Sequence, residues 1–216
     1  SKSAYHNPTP VPYGSAAHHS LLFSLSAVEE ISSAVKNPKI LSLVAGITSK
    51  RYLTISENIR LIRGMPNTSS EFKKGITAFC NINAPKNLYV KVQNLFSRIG
   101  VLVDVNSEKK IDDFTGLIGS GPAYFFHLLQ VYEKELLKIT EGNDRLTKSI
   151  ISNLMIGVGT SIDSGKSLEE LISSVASKKG TTEAGLKSMK ANKISSSFNK
   201  SIKVAIKRSK EISSEF

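Results

Sequence analysis

Apolar residues in the first half of the chain come in short runs between polar segments, and in the second half they recur at helical spacing. Four runs have the length and β-branched content of strands: Ile40 to Ala45 (ILSLVA), Ile59 to Gly64 (IRLIRG), Ile76 to Asn81 (ITAFCN) and Val101 to Val105 (VLVDV). Pro85 to Ile99 is predicted to be a helix. Pro85 lies near its first turn, where a missing N–H is no loss, and Gly100 lies at its end. Strand-like runs alternating with helical ones predict an α/β layer from Leu21 to about Asn106. Residues 1 to 20, rich in Pro, Ser and His and without a consistent period, read as irregular.

After Asn106 the strand signals stop. Leu146, Ile150, Leu154, Val158 and Ile162 recur every fourth residue, with Ile151 and Met155 widening the stripe. Ile194, Phe198, Ile202 and Ile206 do the same, opposed by Lys200, Lys203, Lys207 and Lys210, which are expected to face water. The stretch from Tyr124 to Leu137 is apolar on nearly all sides, which predicts burial by neighbouring helices or by a second subunit. The predicted fold class is therefore α/β followed by all-α. Residues 1–106 form the sheet domain and residues 107–216 an all-helical dimerisation domain.

Composition narrows the function. With 216 residues, 40% of them hydrophobic, the chain is long enough to bury a core, and its apolar runs fall short of the roughly 20 residues that span a bilayer. A soluble protein with no membrane partner is expected. Cys80 is the single cysteine, so no intrachain disulfide and no cysteine-rich zinc site forms, and a cytoplasmic location is the default expectation. The histidines, His6, His18, His19 and His127, include no helical pair around a glutamate, and no metal site is expected. The formal charge is +11, carried mostly by lysines spread among serines, with no tryptophan. Base reading and phosphate clamping favour arginine forks and stacked aromatics, so a solvated lysine surface is preferred over a nucleic-acid patch.

The segment Leu117 to Leu129, LIGSGPAYFFHLL, looks at first like a glycine turn for a dinucleotide phosphate. Such a turn needs a third glycine, a strand before it and a helix after it. Tyr124 occupies the third position, and the preceding EKKIDDFTGL reads as a helical turn. Ser120 or Gly121 as a cap, followed by Pro122, instead marks a helix start.

TGLIGSGPAY, Thr115 to Tyr124, resembles the T-[AG]-[LV]-S-G-S-G-P-A-Y segment of pyrroline-5-carboxylate reductases. Three more stretches resemble that family in the same order: SLVAGIT (Ser42 to Thr48), IRGMPNTSS (Ile62 to Ser70) and VASKKGTTEAGL (Val175 to Leu186). The likeness covers about Lys39 to Ser209.

The resemblance implies a Rossmann-like sheet domain for NADPH or NADH, followed by a helical domain that joins a partner subunit as a homodimer or higher homo-oligomer. It implies reduction of 1-pyrroline-5-carboxylate to L-proline. The first βαβ unit with G-x-G-x-x-G is not found in the chain, so the sheet domain is expected to be a partial one. On the same ground Thr182 is expected to be catalytic, contacting the imine nitrogen, and Ser120, Ser177, Gly180, Thr181 and Thr182 are expected to bind substrate. Ala45, Gly46, Met65, Pro66, Asn67 and Thr68 are expected to border the nicotinamide. Lys178, Lys179 and Ile118 depart from the family pattern. A related reductase acting on another imine, and a non-catalytic basic helical dimerisation module, stand as alternatives.

Overall fold

In the computed structural model, which describes residues 16–215 and their side chains from Leu25 to Glu215, the chain packs as two units. The first holds the chain up to Thr115 together with the segment from Ile206, and the second holds Gly116 to Ala205.

The first unit begins with helix α1 (Ala16–Ala34) and continues through β1 (Lys39–Ser42), α2 (Ser49–Ile55), β2 (Arg60–Pro66), a 3-10 turn (Thr68–Phe72), β3 (Gly75–Asn81), α3 (Lys86–Phe96), β4 (Gly100–Asp104) and α4 (Glu108–Phe114). The strands form one sheet in the order β1-β2-β3-β4. Pairing is parallel between β1 and β2, antiparallel between β2 and β3, and parallel between β3 and β4. The parallel pairs are joined through α2 and α3, as crossovers require, and the antiparallel pair through the short 3-10 turn.

Alternation along the strands sorts the core. Leu61 joins Val28, Ile47, Tyr52 and Ile59 in one buried cluster, and the adjacent Ile62 joins Phe79, Ala84 and Phe96 in another. Met65, Ala78, Cys80 and Ile111 form a third beneath α4. This is the Rossmann-like layer expected from the sequence.

Three expectations change in detail. Residues Ala16 to Ser20 belong to α1 and are not irregular; residues 1 to 15 lie outside the described residues. The first strand stops at Ser42, so Ala45 sits in a turn and not at a strand end. Gly100 does not close the preceding helix. That helix ends at Phe96, and Gly100 opens β4, where a Cβ would lie 1.8 Å from the carbonyl oxygen of Gly75.

The second unit is helical. A π-helical turn (Thr115–Gly119) enters it, and α5 (Gly121–Ile139), α6 (Asp144–Ile162), α7 (Leu168–Val175), α8 (Thr181–Ala191) and α9 (Ile194–Glu215) follow. Ser120 occupies the N-cap position of α5, without a side-chain cap bond, and Pro122 lies in the first turn as expected. The Tyr124 hydroxyl donates to the Gly116 carbonyl at 2.7 Å, and its ring packs edge-on to Phe198. The α5–α6 corner is closed by Thr140 and Thr147, whose hydroxyls lie 2.7 Å apart, and by the Asn143 side chain, which accepts from the Leu146 amide. Helix α9 starts in this unit and ends in the first.

Candidate active site

Two loops carry the residues expected to act, one in each unit. In the second unit the chain leaves α7 at Val175 and turns through Ser177 to Gly180 before α8 begins at Thr181. The Gly180 N–H donates to the Ser177 carbonyl at 3.0 Å, closing the turn, and the Lys179 N–H donates to the Glu183 carboxylate. Helical bonding resumes with Ala184, whose N–H reaches Gly180 O at 3.1 Å.

The amides of Thr181, Thr182 and Glu183 therefore remain at the helix start with no side-chain cap. The first N–H groups of any helix lack an intrahelical partner, and with the helix dipole they attract anions. The Gly180 N–H is committed to Ser177, whereas the amides of the three residues that follow it have no intrahelical acceptor. The Ser177 carbonyl is the acceptor that closes the turn. Thr182 is half-buried at the second helical position.

Lys179 adopts φ +61°, the left-handed conformation that a glycine enters freely and a lysine does not. Glu183 steadies it. That carboxylate also pairs with Lys187 at 2.8 Å, and these two contacts, the Lys187 side chain first and the Lys179 amide second, hold Glu183 below the usual carboxylate range.

In the first unit, the segments after β1 and at the end of β2 lie at the same end of the sheet, because the two strands run parallel with Ser42 beside Arg63. Ala45 is exposed and Gly46 is buried in the turn that follows β1. Met65 is not at the surface. Its side chain belongs to the core cluster with Ala78, Cys80 and Ile111. Pro66 ends β2, Asn67 caps the 3-10 turn and Thr68 is exposed.

Asn67 lengthens the β2–β3 pairing by one rung. Its N–H donates to Ile76 O at 3.2 Å and its Oδ1 accepts from Ile76 N at 3.0 Å. Only its Nδ2 donors are left to offer a ligand.

Sequence reasoning missed Arg63. It is buried on the sheet face that also carries Leu61 and Met65, and it donates to Glu108 Oε1 at 2.7 Å and to the Val44 carbonyl at 3.0 Å. The signal was present. Period two along Leu61, Arg63 and Met65 places a charge on an apolar face, and a buried charge demands a partner. Glu108 is the partner, and it also accepts from the Ser49 amide at 2.8 Å and the Ser49 hydroxyl at 2.5 Å.

Among the described residues, no cluster of His, Cys, Asp and Glu is arranged to hold a metal ion, and no helix is long and apolar enough to cross a membrane.

The family model described as "Pyrroline-5-carboxylate reductase dimerisation" matches residues 108–212. Pyrroline-5-carboxylate reductase 2 of Bacillus subtilis is 32% identical over 194 residues, an alignment that takes in 88% of this chain and 69% of that protein. A solved pyrroline-5-carboxylate reductase from Coxiella burnetii is 25% identical and superposes with a TM-score of 0.75, covering 90% of this chain and 73% of that one. The Plasmodium falciparum pyrroline carboxylate reductase, solved with NADP bound, shares the fold at a TM-score of 0.78 with 22% identity, over 88% of this chain and 77% of that one. Four sequence segments in order, the mixed sheet followed by helices, and a relative this similar along most of both chains lead to one assignment: the chain belongs to the pyrroline-5-carboxylate reductase family.

Proposed function

We propose that the protein is an NAD(P)H-dependent oxidoreductase that reduces 1-pyrroline-5-carboxylate, a cyclic imine bearing a carboxylate, to L-proline, the last step of proline biosynthesis. The observation that carries the site assignment is the uncapped start of α8, where three successive amides precede the first intrahelical bond. A carboxylate placed there receives charge-assisted hydrogen bonds worth roughly 1.5 to 3 kcal/mol each. The Thr182 hydroxyl, carried on the same turn, hydrogen-bonds the ring nitrogen. Ser177 keeps the turn closed by accepting from Gly180, and Ser120, at the cap of α5, is a further substrate contact.

A nicotinamide, when bound, would supply the hydride to the imine carbon, and the proton on the ring nitrogen would come from water. Residues of the first unit would border it. Asn67 Oδ1 is occupied by the Ile76 amide, which leaves the Nδ2 group as a donor with its orientation already fixed. Ala45 presents a small side chain at an exposed turn, and Gly46, Pro66 and Thr68 complete the edge with main-chain groups. Met65 supports this edge from the core. The chemistry asks for positioning more than for acid–base groups, which agrees with a site that has no paired carboxylate.

A homodimer in the cytoplasm completes the reading. Phe125, Phe126, Val131 and Tyr132 of α5 and Ile156 and Val158 of α6 are exposed in the single chain. Val158, Ile162, Leu168, Leu171, Ile172 and Val175 line an apolar groove in the same unit. Exposed apolar area on this scale marks an interface. The free cysteine, Cys80, is buried, as suits a reducing compartment.

The direct test is an assay of the purified protein with 1-pyrroline-5-carboxylate and NADPH or NADH. Cofactor oxidation matched one to one by L-proline formation supports the proposal. Oxidation with a different cyclic imine, and none with this one, overturns the substrate.

A further inference from the structure

The segment from Val44 to Ser49 is held at both ends by one ion pair. Arg63 Nη2 donates to the Val44 carbonyl at 3.0 Å while its Nη1 donates to Glu108 Oε1 at 2.7 Å. Glu108 returns to the far end of the segment, accepting from the Ser49 amide at 2.8 Å and from the Ser49 hydroxyl at 2.5 Å. The middle is fixed as well, because Gly46 lies against Ile212. Only Ala45 of the six residues is exposed.

A surface turn needs no such arrangement. Val44 lies two residues beyond Ser42, the last paired residue of β1, so its carbonyl has no ladder partner and would ordinarily be satisfied by water. Here it is met by a guanidinium whose side chain is 3% exposed, taken from the neighbouring strand and charge-paired with a carboxylate that is 25% exposed. Burying a charge is costly unless it is paired and hydrogen-bonded, and the benefit of such a pair is geometric definition more than stability.

We infer that Arg63 and Glu108 are positioning residues for the nicotinamide side of the cofactor: they set the bend at Val44 to Ser49 so that Ala45 meets the cofactor at a fixed depth. The inference rests on the reading of Ala45 and Gly46 as part of the cofactor edge. Neither side chain touches substrate or cofactor; both act through the bend. Lysine at position 63 keeps the charge but offers no fork that reaches Glu108 and the Val44 carbonyl together.

The test measures cofactor binding directly, by fluorescence titration of the protein as its gene encodes it. NADPH is compared with adenosine 2′,5′-bisphosphate, which has no nicotinamide, in the Arg63→Lys and Glu108→Gln variants. The expected result is a rise of about tenfold in the NADPH Kd for Arg63→Lys and about threefold for Glu108→Gln. The bisphosphate affinity and the KM for the imine stay within about twofold of the parent.

Melting temperatures that fall while NADPH affinity holds in both variants would reduce the pair to scaffold and overturn the inference, and so would an equal loss of both nucleotides. Glu108→Gln keeps shape and acceptor and carries the test if Arg63→Lys does not fold. Ala45→Leu separates the layers. Normal NADPH binding in that variant defeats the cofactor reading of the bend itself, whereas weakened binding there beside unaffected Arg63→Lys and Glu108→Gln defeats only the positioning role.

Discussion

Gly46 lies against Ile212 so closely that a Cβ on the glycine would come within 2.6 Å of the isoleucine Cγ2, and the glycine holds φ +82°. Two independent reasons therefore exclude a side chain at this position, one conformational and one steric. Gly46→Ala is expected to cost roughly 2 kcal/mol or more by urea denaturation. Ile212→Ala, which trims a half-buried side chain, is expected to cost about 1 kcal/mol. Because the steric part of the first change depends on the second residue, the double variant should lose at least about 0.5 kcal/mol less than the sum. Strict additivity would mean that the contact has no energetic weight.

Thr182→Ala should lower kcat by roughly 10- to 100-fold, the loss of one hydrogen bond to a charged or charge-developing group. The hydroxyl is not needed to cap α8, whose N-cap residue Gly180 carries no side-chain cap bond, so the melting temperature should move by no more than about 2 °C. Thr182→Ser is expected to retain most of the activity. An alanine variant with parental kinetics removes Thr182 from the mechanism.

Lys179 occupies a left-handed backbone conformation at φ +61°. Lys179→Gly should stabilise the protein by about 0.5 to 1 kcal/mol, the steric cost relieved less the added chain entropy of glycine. The main-chain bond from residue 179 to Glu183 survives the change, since it uses the amide and not the lysine side chain. A calorimetric melting temperature that falls in the variant contradicts the assignment of strain to this residue.

Asp112 is held above its ordinary value near 3.8, chiefly by burial, against the opposing hydrogen bond from Ser213. A carboxyl group that binds its proton more tightly when folded loses stability for the fold as pH rises from the ordinary value through the raised one. The penalty is absent at about pH 3 and grows as the pH rises toward 7. Asp112→Asn, which can still accept from Ser213, should therefore gain stability over the parent at pH 7. Denaturation curves at the two pH values should show the difference shrinking toward the acid end; a difference that grows there reverses the sign and rejects the account.

Phe126 is 67% exposed on α5, among other uncovered apolar residues. Phe126→Asp places a charge in the face proposed to join two copies, and sedimentation should report a shift from dimer toward monomer at micromolar concentration. An unchanged association state would move the interface elsewhere.

Much of the fold was legible because it depends on local periodicity. The four strands fall where β-branched runs predicted them, and the change to helix after Asn106 follows the change of spacing from two to four. Strand ends were less legible. Pairing decides them, and β1 stops at Ser42 although its apolar run continues to Ala45. The antiparallel step between β2 and β3 has its sequence basis in PNTSS, yet the bond from the Ile76 amide to Asn67 Oδ1 joins residues nine apart and is not visible in either alone.

The sequence by itself determined the order of elements, the helix start at Ser120 to Pro122 and, through four motifs in series, the family. Tertiary structure decided which amides at the Ser177 to Thr182 turn remain available, that Met65 faces the core, that Arg63 finds Glu108, and that the last turns of α9 return to the sheet unit. The division has one physical cause. Propensity and periodicity act over a few neighbouring residues, while a hydrogen-bond partner or a packing contact is chosen among groups that only the folded chain brings within a few ångströms.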